Sequence, residues 1–316
     1  MEPPGIPGRF ITRRGEDGER SLVLRRPPHG VTGGIAHDMA REYHILAALF
    51  PLGVPVPRPI ALATDASVLG APFYVMEHVP GVILRGGPPA LLRDDANALP
   101  ARMEAISRTF VETLVRLHAV DVSAARLAVL GRPEGYVQRQ VEGWSKRWVA
   151  SRTKDVRAMD EVAAWLAAHR PPERGAVLVH NDFKLDNLVF TDDLSSVRAI
   201  LDWEMATVGD PLMDLGTSLA YWVEANDAPI FRSLGLGMTA LPGAYRRDDV
   251  VRAYGEASGR DVSDAPFYLT FGLFKVAVIA QQIHARALQG LTTDARFLQL
   301  GAVVEALAEK AQATAR

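Results

Sequence analysis

The chain has 316 residues, 48% hydrophobic and 23% charged, which supplies ample material for a core and excludes disorder as the main state. At ~100–200 residues per domain, this length corresponds to two domains or one large two-lobed unit. Thirty-five basic against 37 acidic side chains give a formal charge of -2, without the broad positive field that a nucleic-acid partner demands. With no cysteine in the chain, disulfides, cysteine-zinc sites and thiol catalysis are excluded.

The start, Met1-Glu2-Pro3-Pro4-Gly5, lacks the order of a secretory signal. No stretch is expected to reach the ~20 apolar residues of a membrane span, so the reading is a cytoplasmic protein with no membrane partner. Phe10 to Arg26 reads as a hairpin around Gly15-Glu16-Asp17-Gly18, ended by Pro27-Pro28 and followed by the loose stretch Gly30 to Gly34. Met39, Tyr43, Leu46 and Phe50 then recur at the spacing of an amphipathic helix, which Pro51 stops. Pro55, Pro57 and Pro59 force extended chain. Phe73 to Met76 reads as a strand running into His78-Val79-Pro80-Gly81. The lobe boundary is expected there, with residues 1–78 as the N-terminal lobe and 79–316 as the C-terminal lobe.

Beyond it the pattern is mostly helical. Ile106, Phe110, Leu114 and Leu117 mark one helix, and Tyr136 to Ala150 another. One β island interrupts: Ala176 to Val179, then Asn187 to Phe190, a turn at Thr191-Asp192-Asp193, and Val197 to Leu201. Helical patterns resume from Leu212, from Pro266 to Leu288, and from Arg296 onward. A small strand-rich lobe followed by a larger helical lobe is an α+β layout.

The island carries the chemistry. It holds His180-Asn181-Asp182-Phe183-Lys184-Leu185-Asp186-Asn187, followed by Leu201-Asp202-Trp203-Glu204. In an antiparallel hairpin the first residue of one strand lies beside the last of the next, which puts Asn187 next to Asp202. Asp182 and Lys184 feed into the same end. Two carboxylates, an amide oxygen and an ammonium therefore converge at one hairpin mouth, and the Asp and Asn oxygens suit a magnesium ion that keeps positions open for phosphate.

This pattern resembles the catalytic loop and metal-binding Asp of the protein-kinase-like fold. His180-x-Asp182 with Asn187, Asp202-Trp203-Glu204 and Gly209-Asp210-Pro211-x-x-Asp214 are similar to the aminoglycoside phosphotransferase branch. Val23 to Pro28, Arg41-Glu42-Tyr43, Phe73 to Glu77 and Gly131 to Tyr136 further resemble the phosphotransferase domains related to those fused to acyl-CoA dehydrogenases. The resemblance implies an ATP- and magnesium-dependent phosphotransferase that acts on a hydroxyl of a small-molecule acceptor. In it Asp182 accepts the hydroxyl proton, Lys184 steadies the transferring phosphate, and Asn187 and Asp202 hold Mg2+. The subfamily likeness favours a hydroxyacyl-CoA or related metabolite over an antibiotic, and the helical lobe shows no acidic cluster suited to a polycationic aminoglycoside.

Glu42 lies on the buried side of its helix, where a lone carboxylate needs a cation. The fold implies a strand residue, usually Lys, that pairs with this Glu and grips the inner phosphates. Arg25 matches that position, with Arg26 as the second choice. Glu77, His78 and Val79 fall at the implied interlobe hinge, whose backbone reads the adenine edge. The chain departs from the family before Phe10, where only Pro3-Pro4-Gly5-Ile6-Pro7-Gly8-Arg9 stands in place of a glycine-rich phosphate loop. Its prolines remove backbone donors. The expectation is either a late start or a degenerate phosphate lid, and the rival function is a nucleotide-binding pseudokinase with a regulatory role. A metal-assisted hydrolase on Asp182, Asn187 and Asp202 leaves Lys184 and Glu42 unexplained.

Asp210-Pro211-Leu212 reads as a helix start, making Asp210 structural and Asp214 similarly so. Gly235 to Ala240 matches a dinucleotide fingerprint in form only and reads as a loop, because no strand precedes it and Pro242 blocks a helix. His118 and His284 read as packed or solvated. Arg132, Tyr136, Trp144, Tyr221 and Trp222 are open candidates for an acceptor pocket or for core. The oligomeric state is left open.

Overall fold

The protein is described by a computed structural model over residues 9–15, 18–27, 38–124, 127–232, 237–292 and 294–315. Gly5, Gly8, Gly235 and the stretch Gly30 to Gly34 lie outside the described residues. Strands β1 (Arg9–Gly15) and β2 (Gly18–Arg25) form the expected hairpin, with Arg9 opposite Leu24 and Gly15 opposite Gly18. Helix α1 (Met39–Leu49) is capped by Asp38, whose carboxylate accepts the Arg41 N–H at 3.0 Å and satisfies a donor the first turn leaves open. Its buried face is Met39, Glu42, Ile45, Leu46 and Leu49. Phe50 departs from the expected stripe and is 44% exposed, because the chain tightens into a 3-10 turn over Phe50–Leu52 at Pro51 and swings that side chain off the helix face. Strands β3 (Pro59–Ala63) and β4 (Phe73–Glu77) complete an antiparallel sheet in the order β1-β2-β4-β3.

The larger part begins with β5 (Val82–Ile83), the single turn α2 (Ala90–Arg93), α3 (Leu99–His118), α4 (Tyr136–Ser151) and α5 (Arg157–Ala168). Four short strands follow: β6 (Val177–Val179), β7 (Leu188–Phe190), β8 (Val197–Ile200) and β9 (Thr207–Gly209). The β island is therefore two sheets. One runs β5-β7-β8; the other pairs β6 with β9, which was not expected from the sequence.

The remaining helices are α6 (Pro211–Tyr221), the short α7 (Pro229–Phe231), α8 (Arg247–Ser258), α9 (Ala265–Leu288) and α10 (Leu300–Thr314). Two details differ from expectation. Ala295–Gln299 is a separate 3-10 turn before α10, and Gly237–Ala240 is another, so the latter segment is more ordered than a plain loop. Asp210 caps α6 as expected: one carboxylate oxygen accepts the Leu212 N–H at 2.8 Å, and the other accepts the Arg174 N–H at 2.7 Å and the Tyr268 hydroxyl at 3.2 Å.

Helix α9 is the centre of the helical layer, packed against α4, α5, α6 and α10. It corrects one expectation, since by length and apolarity it is long enough to cross a bilayer, yet 72% of that stretch is buried inside the fold. Its crossing with α6 is backbone to backbone. A Cβ added at Gly216 would stand 2.1 Å from the Tyr268 carbonyl oxygen, and one at Gly272 would stand 2.1 Å from the Gly216 oxygen. Neither obstacle is a side chain that can swing away. Gly216→Ala is therefore expected to destabilise the fold by ~1–3 kcal/mol or more through overpacking, read as a lower urea midpoint at unchanged slope. An unaltered midpoint would mean the crossing relaxes freely.

Candidate active site

The hairpin β7–β8 sets the site. Leu188 pairs with Ile200, and one step beyond, the Leu201 N–H donates to the Asn187 carbonyl at 2.8 Å. The register therefore sets Asn187 opposite Leu201, with Asp202 one residue further on at the same end of the hairpin, where the sequence argument put Asp202 itself beside Asn187. The Asn187 amide spends both hydrogens on Asp182, one on its carbonyl and one on its Oδ2, each at 2.8 Å. The Asn187 side-chain oxygen is the atom left to ligate. Lys184 Nζ pairs with the same carboxylate at 3.0 Å and lies 4.8 Å from the centre of the Tyr221 ring. Burial opposes the Lys184 charge, but Asp182 and Asp186 outweigh it and hold its pKa above the ordinary lysine value.

Buried polar contacts fix the backbone leading into Asp182. Asn181 has φ 65° and Asp202 φ 67°, both in the left-handed region where short polar side chains are tolerated best. Asp214 on α6, expected to be structural, braces this loop: it accepts the His180 N–H at 2.6 Å, the Asn181 N–H at 2.7 Å and His118 Nε2 at 3.2 Å. Burial works against its ionisation, yet the hydrogen bonds it accepts from His118 and from the His180 N–H hold its pKa below the usual carboxylate range. His180 links loop to hairpin. Its Nδ1 accepts the Asp182 N–H at 3.3 Å and its Nε2 faces the Leu201 carbonyl at 2.9 Å, a pair of contacts that requires the neutral Nε2–H form. Burial pushes its pKa down, in keeping with that form.

Arg25, at the end of β2, reaches the site from the other sheet. Its guanidinium pairs with Glu42 at 3.1 Å and with Asp202 Oδ1 at 3.2 Å. Burial opposes its charge, but Glu42 and Asp202 outweigh that effect and raise its pKa. The sequence expectation named the Glu42 pairing and missed the one to Asp202. Arg41 ties α1 to the segment after Asp202 by donating to the carbonyls of Glu204, at 3.0 Å, and Ala206.

The Arg25 guanidinium faces more than one carboxylate here. Burial, then Asp202, push Glu204 up to about 7; burial also raises Glu42, although Arg25 opposes it. Such an excess, with Asn187 and Asp202 offering hard oxygens from the same end of one hairpin, fits a divalent cation that takes its other ligands from phosphate and water. Among the described residues, no three His, Cys, Asp or Glu side chains cluster as a closed metal site.

Of the other predicted residues, Glu77 is exposed at the end of β4, with its N–H on the Arg58 carbonyl at 2.9 Å, and the His78 N–H donates to the Ser21 carbonyl at 3.0 Å. Val79 is half-buried just beyond. Tyr136 donates to Asn181 Oδ1 at 3.1 Å, so it supports the loop. Trp222 is core, its N–H on the Tyr245 carbonyl at 2.8 Å. Tyr221 is the member of that group closest to the chemistry: burial and then Asp182, which it hydrogen-bonds, raise its pKa well above the ordinary value. His118 is buried between Tyr254 and Asp214, and His284 faces the Phe297 carbonyl. A cavity of about 740 Å³ between α6, α8 and the start of α9 is lined by none of the predicted site residues.

A sequence model of the phosphotransferase enzyme family, APH, matches residues 10–258. Acyl-CoA dehydrogenase family member 10 from Mus musculus is 37% identical over 295 residues, which is 93% of this chain and 27% of the relative. The chain thus spans about a quarter of that relative's length. A solved chain from Ralstonia eutropha, assigned to the aminoglycoside phosphotransferases, superposes with a TM-score of 0.77 at 31% identity, covering 98% of this chain and 92% of its own. An APH(2″) enzyme solved as its GDP and kanamycin complex shares the fold at a TM-score of 0.60 and 16% identity, covering 99% of this chain and 92% of its own. The strand-rich small lobe, the helical large lobe and the match across most of the chain agree: this is a kinase-like α+β fold, and the chain belongs to the phosphotransferase enzyme family.

Proposed function

We propose that the chain transfers the terminal phosphoryl group of ATP, bound with magnesium, to a hydroxyl of a small molecule. The observation that carries this reading is the meeting of Asp182, Lys184, Asn187 and Asp202 at one hairpin mouth with Arg25 reaching Asp202 from the small lobe. Asp182 accepts the hydroxyl proton, and Lys184, already beside it, follows the transferring phosphoryl oxygens. Arg25 holds inner phosphates while keeping its grip on Glu42, for which a planar fork with several donors is suited. Asn187 and Asp202 would hold the magnesium ion, which supplies charge neutralisation on the phosphates when bound.

The lobes meet, in this reading, between residues 78 and 79. The Glu77 and His78 N–H groups are spent on Arg58 and Ser21, which leaves the Glu77 carbonyl and the Val79 N–H for the adenine edge. The name of the mouse relative supports a hydroxylated acyl-CoA-like acceptor, and the GDP complex of the APH(2″) neighbour makes GTP the nucleotide to compare with ATP. The deciding experiment is a screen of hydroxylated acceptors with labelled ATP or GTP, with nucleotide consumption in the absence of acceptor as the control. Acceptor-dependent label transfer supports the proposal; none across hydroxy acids, their CoA esters and sugars would sink it.

ATP with magnesium at ~100 times its dissociation constant should stabilise the fold by about 2.7 kcal/mol, read as a higher melting temperature. Magnesium or ATP alone should give much less, and Asp202→Ala should abolish the shift. A full shift with ATP alone would remove Asn187 and Asp202 from the metal role. The second reading, a nucleotide-binding regulator without turnover, is favoured by the prolines that stand before Phe10 where the family has a glycine-rich phosphate loop. It predicts the thermal shift with no label transfer to any acceptor.

A further inference from the structure

Helix α9 runs apolar and buried through Leu273, Phe274, Val276, Ala277 and Val278, and Lys275 stands within that run at 3% exposure. Burying an ammonium is costly unless it is paired. Among the described residues Lys275 forms no ion pair; its Nζ donates to the Asn181 carbonyl at 2.8 Å, approaches Thr217 Oγ1 at 3.4 Å, and lies 5.6 Å from the centre of the Trp144 ring. That carbonyl belongs to the peptide plane whose nitrogen is Asp182.

Every polar group of Asn181 is occupied. Its N–H is on Asp214, its Oδ1 receives Tyr136, its Nδ2 donates to the Met205 carbonyl at 3.1 Å, and its carbonyl takes Lys275. A residue at φ 65° stays there only if its surroundings over-determine it. Asp214 supplies the hold on the amide side, and Lys275 supplies it on the carbonyl side.

We propose that Lys275 is a positioning residue for phosphoryl transfer: its ammonium fixes the Asn181–Asp182 peptide plane and so sets the direction from which the Asp182 carboxylate meets the acceptor hydroxyl. The inference rests on the phosphotransfer reading for its kinetic consequence, and on geometry alone for the clamp. A charged donor makes a stronger hydrogen bond than a neutral one, so the clamp works best protonated. The charged groups that face Lys275 are Asp182 and Asp214, which favour its charge, and Lys184 and Arg147, which oppose it; burial dominates and pushes its pKa down to about 8. The ammonium is complete below that value and is lost as pH rises through it.

The test uses the full chain and Lys275→Met. Turnover should fall roughly 10–100-fold, as expected for a misaligned reacting group. The KM for ATP should change by less than about 2-fold, because binding is not removed. The parent should lose turnover as pH rises past about 8, and Lys275→Met should lack that alkaline decline, which a merely structural role would not remove. Hydrogen exchange of peptides covering residues 178–187 should be faster in Lys275→Met, and this readout needs no acceptor. If no acceptor turns over in either form, the phosphotransfer reading falls while loop exchange still decides the clamp. Parent-like turnover, pH profile and loop exchange in Lys275→Met would overturn the proposal. Should that variant fail to fold, Lys275→Gln, which keeps a donor without charge, is expected to show the same loss of the alkaline limb, and retention of the limb would overturn it.

Discussion

Asp182→Asn is expected to lower turnover on the acceptor by roughly 10²–10⁴, the range for removing a general base, while nucleotide affinity hardly moves. Both carboxylate oxygens accept in the folded chain: Lys184 Nζ lies 3.2 Å from Oδ1 and 3.0 Å from Oδ2, and Asn187 Nδ2 lies 2.8 Å from Oδ2. An amide keeps the shape but offers one acceptor where two are used, and it cannot take a proton. The expected signature is therefore a loss confined to the acceptor step. Single-turnover measurements with pre-bound ATP separate that step from binding. Parent-like turnover in Asp182→Asn would remove the base assignment, and a large rise in the nucleotide dissociation constant would reassign Asp182 to metal or phosphate holding.

The second large effect is on stability. Asp214→Ala strands the N–H groups of His180 and Asn181 and the ring of His118, all buried. Leaving a buried donor unsatisfied costs ~1–3 kcal/mol, so several together should remove on the order of 3–5 kcal/mol from a total stability of roughly 5–15 kcal/mol. Urea denaturation should show it, and Asp214→Asn, which keeps one acceptor, should lose less. The same carboxylate gives a pH signature of definite sign. Its folded pKa is depressed, so its contribution is present above the ordinary aspartate value and is lost as pH falls through the folded pKa. The acid limb of the stability curve should flatten in Asp214→Ala, and an unchanged limb would assign acid sensitivity to other carboxylates.

The site was legible where local register governs it. Asn187 immediately precedes β7 and Asp202 follows β8 by two residues, so the pairing of one hairpin suffices to bring both to the same end. Glu42 was legible for an energetic reason, since a carboxylate on the buried side of α1 requires a cation nearby, whereas Arg25 as that cation was read from the family resemblance. The second bond of Arg25, to Asp202, depends on how two sheets meet, which no local pattern carries. The same holds for Lys275, whose partner lies 94 positions away; its one signal is a single charge inside an apolar helical run.

Several elements escaped for reasons of length or composition. Strands β5 and β9 have two and three residues, too few for an alternation to register. Helix α8 buries only Val250, Tyr254 and Arg247. That arginine is neutralised by Glu224 at 3.0 Å and Asp227 at 2.6 Å, so a core position reads as polar. Helix α5 did carry a readable stripe in Met159, Val162 and Leu166, all buried.

The double grip of Arg25 has a consequence for the whole molecule. One side chain joins the last residue of β2 to a helix carboxylate and to Asp202, 177 positions further along the chain. Pulling the small lobe away would carry Arg25 and Glu42 off together and leave Asp202 without its cation. Opening is thus penalised at the one ion pair that reaches Asp202. The two lobes should melt in a single transition, and a cut in the intervening chain should leave the fragments associated.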